Sequence, residues 1–409
     1  MRTLTVVLIA FLVVGCATPT ARVSLAPSSS AEPSPAFTAR PARSTAGTSP
    51  TPAPPTSNPA PALLGPLPAK ALDKATAASL QAILDDSVAG GAPDAIAAVI
   101  TADGTWAGAA GIDGPKQRLA KPEDEFGIAS VSKTLLSALV LRLAERGKID
   151  LDAPLAAYLD GMTVDTNGAT VRQALAMRSG LGATVEGATA KALADCGRAW
   201  TRSEVLATIP APFADAGTTF YSSNPTYKLL GYAAERVAGA QLAAALRTNV
   251  LDPVGSDRIL LQGRGPATPK PWALPVAGHE GPLDVARYGT GGTLPCLGFS
   301  TLALGSSAMA SDAPSLARWG WALFSGKVID AESLEAMTTL EDGEHGLGID
   351  RLFDFPGEVA YGHSGSQPGY AALLAVLPER QIVVVMFVND EEQANVYRYA
   401  GRLLAALRT

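Results

Sequence analysis

No run of basic residues occurs in this sequence, and its formal net charge is −6. That combination argues against a nucleic-acid partner, whose phosphates call for clustered lysine and arginine. No internal repeat is present. Histidine and cysteine are scarce, with three of each, so each position can be weighed singly. The apolar run Leu4–Val14 is too short to span a bilayer. What is abundant is apolar surface: hydrophobic residues make up 47% of 409, enough for a sizeable core.

Arg2 followed by Leu4–Val14 reads as a secretory signal. It ends in Val13-Val14-Gly15-Cys16, which resembles a bacterial lipobox, with Cys16 the residue lipidated after cleavage. The alternative is an ordinary signal peptide with an incidental cysteine. The small residue before Cys16 favours the lipoprotein, because the processing site needs one. Each buried lipid CH₂ contributes about 0.8 kcal/mol, so more than one acyl chain holds a protein stably at a membrane. The expected location is therefore extracytoplasmic, on the outer face of the bacterial cell membrane. Residues 17–68 are rich in Pro, Ser, Thr and Ala. Such a segment buries too little surface to offset its ordering entropy, and reads as a tether, partly polyproline-like.

Residues 69–409 are globular in composition. Helical spacing runs from Asp73 to Val88. Ala95–Thr101 and Thr105–Gly111 flank an Asp103-Gly104 turn, a hairpin signal. Tyr370–Leu377 and Gln381–Val388 form a second hairpin around Pro378-Glu379-Arg380. The final helix, Gln393–Arg408, carries Val396, Ala400, Leu403, Leu404 and Leu407 on one stripe. Between these ends, from about 150 to 310, the chain reads as helices and loops, with a capping box at Thr201-x-x-Glu204. The expected class is α+β: one sheet built from the two termini, with a mostly helical region inserted.

Three clusters carry chemistry. The first is Phe126-Gly-Ile-Ala-Ser130-Val-Ser-Lys133-Thr, an extended entry into a helix that starts near Ser130. Leu135, Leu136, Leu139, Val140 and Leu143 bury that helix, and Gly147 supplies a stop. Residues three apart share a helix face, so Ser130 and Lys133 point into one small volume. The N-terminal N–H groups there suit a hydroxyl that must become a nucleophile. A serine three before a lysine also arises by chance, with Ser130 a cap and Lys133 solvated. Lys133 is, however, the only lysine in the sequence so preceded.

The second cluster is Phe220-Tyr221-Ser222-Ser223-Asn224-Pro-Thr-Tyr227, just before a helix. A Tyr or Ser hydroxyl and an Asn amide there offer a proton relay and a donor to a substrate carbonyl. It also reads as a plain polar helix entry, with Asn224 capping before Pro225. The third, Tyr361-Gly362-His363-Ser364-Gly365-Ser366-Gln367-Pro368-Gly369-Tyr370, lies just before a strand. Gly365 permits close backbone approach. The bland reading is a glycine-rich turn with a surface histidine. His279 and His345 have no such company and read as incidental.

Together, in this order and spacing, the clusters resemble the serine β-lactamase and DD-peptidase superfamily. The nearer likeness is to its class C β-lactamase, DD-carboxypeptidase and esterase branch. Ser130-Val-Ser-Lys133 matches the Ser-x-x-Lys motif, Asn224 with the following helix the second motif, and His363-Ser364-Gly365 the His-x-Gly form of the third. Gly147–Asp152, Ser179-Gly-Leu181, Leu251-Asp-Pro253 and Gly346-Leu-Gly348 agree as secondary marks. The likeness covers about residues 70–409 and implies an antiparallel sheet with flanking helices beside an all-helical region, the cleft between them. It implies that Ser130 forms an acyl-enzyme, that Lys133 takes its proton, that the N–H groups of Ser130 and Ser366 bind the oxyanion, and that His363 holds substrate or tunes the site. It implies no cofactor and no need for a metal.

The second motif departs from the pattern. The branch usually has Tyr two residues before the Asn; here that position is Ser222, and Tyr221 is displaced by one. Either Tyr221 or Ser222 fills the role. Met177-Arg178 stands where His-Thr is common before Ser-Gly-Leu. His-x-Gly in place of Lys-Thr-Gly implies an ester or amide substrate, such as D-alanyl peptides of the cell wall, rather than efficient β-lactam hydrolysis. The rivals are a true β-lactamase and a non-catalytic penicillin- or cell-wall-binding protein. With Cys16 lipidated, Cys196 and Cys296 remain: either a disulfide, worth up to about 4 kcal/mol in the chain-entropy model, or two buried free thiols.

Overall fold

Both ends of the chain build the main sheet. The computed structural model describes residues 60–114, 118–275, 283–355, 358–390 and 393–407. In chain order the strands are β1 (Asp94–Thr101), β2 (Gly104–Asp113), β3 (Arg118–Leu119), β4 (Phe126–Gly127), β5 (Leu260–Leu261), β6 (Met309–Ser311), β7 (Asp350–Phe355), β8 (Glu358–Gln367), β9 (Tyr370–Leu377) and β10 (Ile382–Val388). Seven form one antiparallel sheet in the order β3-β2-β1-β10-β9-β8-β7. The seam between the two termini is β1 against β10, with Ile96 opposite Phe387 and Thr101 opposite Ile382. A small sheet, β4-β6-β5, joins the segment just before Ser130 to strands from the inserted region and its end.

Successive side chains alternate across a sheet, and here they sort into two cores. Ala95, Ala97, Val99, Leu373, Ala375, Val384 and Met386 pack with Leu80 and Leu84 of the Lys74–Ala89 helix and with Val396, Ala400, Leu403 and Leu404 of the Gln393–Ala406 helix. Ile96, Ala98, Leu374, Val376, Val383, Val385 and Phe387 face the Ala313–Phe324 helix and the inserted region. The near-continuous apolar runs of β9 and β10 follow from burial on both faces.

The two hairpins and the terminal helices form where the residue pattern places them. Asp73 caps the first helix rather than joining it, its carboxylate accepting from the N–H groups of Ala75 and Thr76. The capping box at Thr201 and Glu204 is formed. One expectation needs extending: the third cluster leads into the strand β9, as its position predicts, but it also lies mostly within a strand of its own, β8. Its glycines and serines have low strand propensity, but β8 gains its place by pairing on both sides, with β7 and β9.

Cys196 and Cys296 are bonded, with Cα atoms 5.3 Å apart. They tie the end of the Ala188–Ala194 helix region to the start of the Leu297–Ala303 helix. Cys16, the residue 17–59 stretch of the tether, His279 and Arg408 lie outside the described residues. No helix among the described residues is long and apolar enough to cross a membrane.

Candidate active site

Ser130 sits in a 3-10 turn, Ala129–Val131, that runs directly into the Ser132–Glu145 helix. The turn is held from behind: Ile128 N donates to Met309 O at 2.9 Å, and Met309 N to Ser132 Oγ at 3.1 Å. Ala129 has φ +47°, a sparsely populated conformation for a residue with a β-carbon. Backbone strain of this kind persists only where the surroundings enforce it, and here it sets the Ser130 hydroxyl at the mouth of the helix. Gly147, with φ +65°, follows the helix end.

Lys133 is fully buried. Its Nζ lies 2.7 Å from Ser130 Oγ, 2.8 Å from Asn224 Oδ1 and 3.2 Å from Ser306 O. Burial brings its pKa down from 10.5 to about 7; the Asp350 carboxylate opposes that shift and the Lys228 ammonium adds to it. A neutral amine has two N–H donors and one lone pair. With the donors on Asn224 and Ser306, the lone pair is free to accept the Ser130 hydroxyl proton, which is the arrangement a general base requires.

Asn224 opens the Asn224–Ala238 helix. The capping role falls to Ser223, whose hydroxyl accepts from Thr226 N, and Pro225 occupies the first turn. Asn224 is thereby released from capping and its amide turns to Lys133. Tyr227 is a wall residue: its buried hydroxyl donates to Leu175 O and bonds Ser137, and burial pushes its pKa up.

The third wall is β8. Gly365 presses on Ser130: a methyl added there would fall inside contact distance of Ser130 N and only 2.9 Å from Ser130 Cβ. His363, two residues earlier on the same face, is buried and its Nδ1 donates to Ser364 O at 2.6 Å. Burial holds its pKa below the usual imidazole range, helped by Lys133 and opposed by Asp350. Backbone bonding alternates along an antiparallel strand. The turn pairing Gln367 with Tyr370 sends the odd-numbered residues of β8 to β9, and the N–H of Ser366 to the opposite edge. β7 pairs β8 only as far as Gly362, so that edge is open beside Ser130. The Ser366 side chain is exposed, and Ser364 Oγ bonds Tyr397 on the far face.

The structure thus brings Ser130, Lys133, Asn224, His363 and Gly365 together. It does not bring in the side chains of Tyr221 or Ser222. Both are exposed, and among the described residues neither hydrogen-bonds Ser130 or Lys133. Tyr221 packs edge-on against Phe213, its N–H tied to Met177 O. Nor is His345 incidental: it stacks on Phe220, with ring centroids 3.5 Å apart, and bonds Asp342, which also pairs with Arg178 at 2.6 Å. The Met177-Arg178 departure therefore coincides with a clasp across this wall. Two participants gave no sequence signal: Ser306, which acts through a backbone carbonyl, and Asp350, the first residue of β7.

A strained turn presenting a serine to a buried lysine of lowered pKa, walled by an antiparallel strand, defines a serine hydrolase. The chain belongs to the β-lactamase family, whose model, described as Beta-lactamase, matches residues 35–408. It is 23% identical over 295 residues to the putative penicillin-binding protein PbpX of Bacillus subtilis (strain 168), covering 70% of this chain and 67% of that protein. Among solved structures it is similar to a D-stereospecific amidohydrolase from Streptomyces sp., with a TM-score of 0.65, 24% identity, and coverage of 78% of this chain and 97% of that one. It is also similar to D-amino acid amidase from Ochrobactrum anthropi SV3, complexed with D-phenylalanine, with a TM-score of 0.68, 21% identity, and coverage of 82% and 100%.

Proposed function

We propose that the protein is a lipid-anchored, extracytoplasmic hydrolase that cleaves amides or esters through an acyl-enzyme on Ser130. The observation that carries this reading is the 2.7 Å contact between Lys133 Nζ and Ser130 Oγ, with the lysine pKa brought to about 7 by burial. Lys133 takes the hydroxyl proton as Oγ bonds to the acyl carbon. Charge moves to the carbonyl oxygen, which the N–H groups of Ser130 and Ser366 receive; such a donor contributes roughly 3–4 kcal/mol in other enzymes. Collapse expels the amine or alkoxide, which leaves with the proton held by Lys133. Water then attacks the ester as Lys133 takes its proton, and collapse breaks the acyl–Oγ bond, frees the acid and returns that proton to Ser130. Asn224 fixes the lysine and offers its amide N–H to substrate, while His363 lines the cleft.

D-Alanyl derivatives, including cell-wall peptides, are the substrate class, in keeping with the D-amino acid amidase likeness. Carboxypeptidase and esterase activities both fall within it. Hydrolysis of p-nitrophenyl acetate by wild type but not by Ser130→Ala supports the assignment; equal rates contradict it. The exposed Tyr221 and Ser222 favour a second reading, a penicillin-binding protein that acylates and turns over slowly, because among the described residues neither hydroxyl bonds Ser130 or Lys133. Rapid turnover of a chromogenic cephalosporin would instead identify a true β-lactamase. Anchoring through Cys16 predicts that the full chain partitions into detergent and that Cys16→Ser moves it to the aqueous phase; unchanged partitioning contradicts the anchor.

A further inference from the structure

The two ends of the cleft differ. Beside Ser366 the edge of β8 is open, but β7 takes up that edge from Gly362 onward, with Asp350 opposite Gly362. The loop that leads into β7 crosses the floor between the walls. Arg351 N donates to Glu344 O at 2.8 Å, and Thr134 Oγ1 to Gly348 O at 2.8 Å. A methyl on Gly348 would fall 2.5 Å from the Tyr227 hydroxyl and inside contact distance of Ser137. The loop therefore lies flush on both the Ser132–Glu145 and the Asn224–Ala238 helices.

The same loop reaches the segment that precedes Asn224. His345 stacks on Phe220 with ring centroids 3.5 Å apart. Asp342 bonds His345 Nδ1 at 3.0 Å and pairs with Arg178 at 2.6 Å. Phe220 and Arg178 belong to the Asn224 wall, where Met177 O accepts from Tyr221 N. Asp342 and His345 come from the β7 side. Stack and ion pair thus bridge the walls and shut the Gly362 end.

Distance decides what fits there. From Ser366 to Gly362 the strand advances four residues, about 13 Å at about 3.3 Å per residue. An acyl carbonyl held at the Ser366 N–H leaves room on the closed side for about two extended residues. The open side sets no such limit. The group on the closed side is the one that departs. It takes its proton from Lys133, and Lys133 lies toward this end, electrostatically coupled to Asp350 and His363.

We propose that the Phe220–His345 stack and the Arg178–Asp342 pair form a backstop on the leaving-group side, which makes the protein an exo-acting hydrolase that releases a terminal group of at most about two residues. It does not cut the interior of a chain. The inference rests on the Ser130 acyl-enzyme reading and divides its substrates by the length of the departing group.

The test uses three uncharged depsipeptide esters of N-acetyl-D-alanine. The first carries glycolamide as leaving group and the second glycolyl-triglycine amide. The third carries glycolamide again, with two glycines inserted between the acetyl group and D-alanine. Lengthening the leaving group is expected to lower kcat/KM by about tenfold or more, a factor worth roughly 1.4 kcal/mol. Lengthening the acyl side is expected to change it by less than about threefold. In Phe220→Ala and in Arg178→Ala, each of which opens the clasp, the leaving-group penalty is expected to shrink to within about threefold. Equal penalties on the two sides, a larger one on the acyl side, hydrolysis of none of the three esters, or an unchanged leaving-group penalty in both variants each overturns the backstop. The wild-type comparison needs no variant, so it stands even if neither variant folds. The acyl-enzyme reading fails separately, if Ser130→Ala hydrolyses p-nitrophenyl acetate as fast as wild type.

Discussion

Gly365 and Ser130 touch backbone to backbone: no side chain fits between β8 and the turn that carries the serine. The third motif thus positions the nucleophile by leaving it room. Gly365→Ala should displace Ser130, and a shift of about 1 Å at a reacting atom can cost on the order of 10²-fold. Acylation rates together with a thermal melt check this; a variant of wild-type rate would mean that the contact has slack.

Lys133 should impose a rising limb on acylation. Its folded pKa is about 7, and only the neutral form accepts a proton, so kcat/KM rises with pH through about 7 and then levels. Asp350 opposes the lowering of that pKa, so Asp350→Asn should move the limb to lower pH. Lys133→Ala should lose about 10³-fold or more, nearly as much as Ser130→Ala, because nucleophile and base act as a unit. A pH–rate profile for each protein is the measurement; a full rate for Lys133→Ala would remove the lysine from proton transfer.

Glu125, just before β4, shares Arg258 with Asp312, at 2.8 Å and 2.5 Å. One guanidinium cannot neutralise two buried carboxylates, and burial raises the Glu125 pKa to about 8. Folded Glu125 therefore keeps its proton up to about pH 8, whereas the unfolded chain releases it near 4.5. The native state holds more protons across that window, so this group makes stability fall as pH rises from about 4.5 to 8. Glu125→Gln should flatten that slope. Denaturant melts at several pH values check it, and an unchanged slope would show that Glu125 is ionised when folded.

The bond between Cys196 and Cys296 closes a loop with a sequence separation of 100. Reduction, or Cys196→Ser with Cys296→Ser, should cost about 2–5 kcal/mol. Thiol labelling reads the same point: the folded chain should label at neither position until reduced.

Much of the site was legible because its chemistry lies in side chains at fixed spacing. Ser130 and Lys133 follow from helical geometry, and the apolar runs of β1, β9 and β10 announce the sheet. What stayed hidden depends on partners distant in the chain. Ser306 contributes a carbonyl, which any residue possesses. β8 reads as a glycine-rich turn because its strand character comes from its neighbours β7 and β9, not its composition. Asp350 looks like an ordinary polar residue until β7 sets it beside His363. For Tyr221 and Ser222, counting along the chain left two candidates; both are exposed, with Tyr221 packed on Phe213.

Covalent acylation of Ser130 is read by intact-mass analysis after incubation with a small panel of activated esters and penicillins. Wild type should gain the mass of one acyl group, mapped by peptide digestion to Ser130, and Ser130→Ala should gain none. An adduct that persists on Ser130→Ala, or folded wild type that gains no mass from any of the panel, would exclude a Ser130 acyl-enzyme.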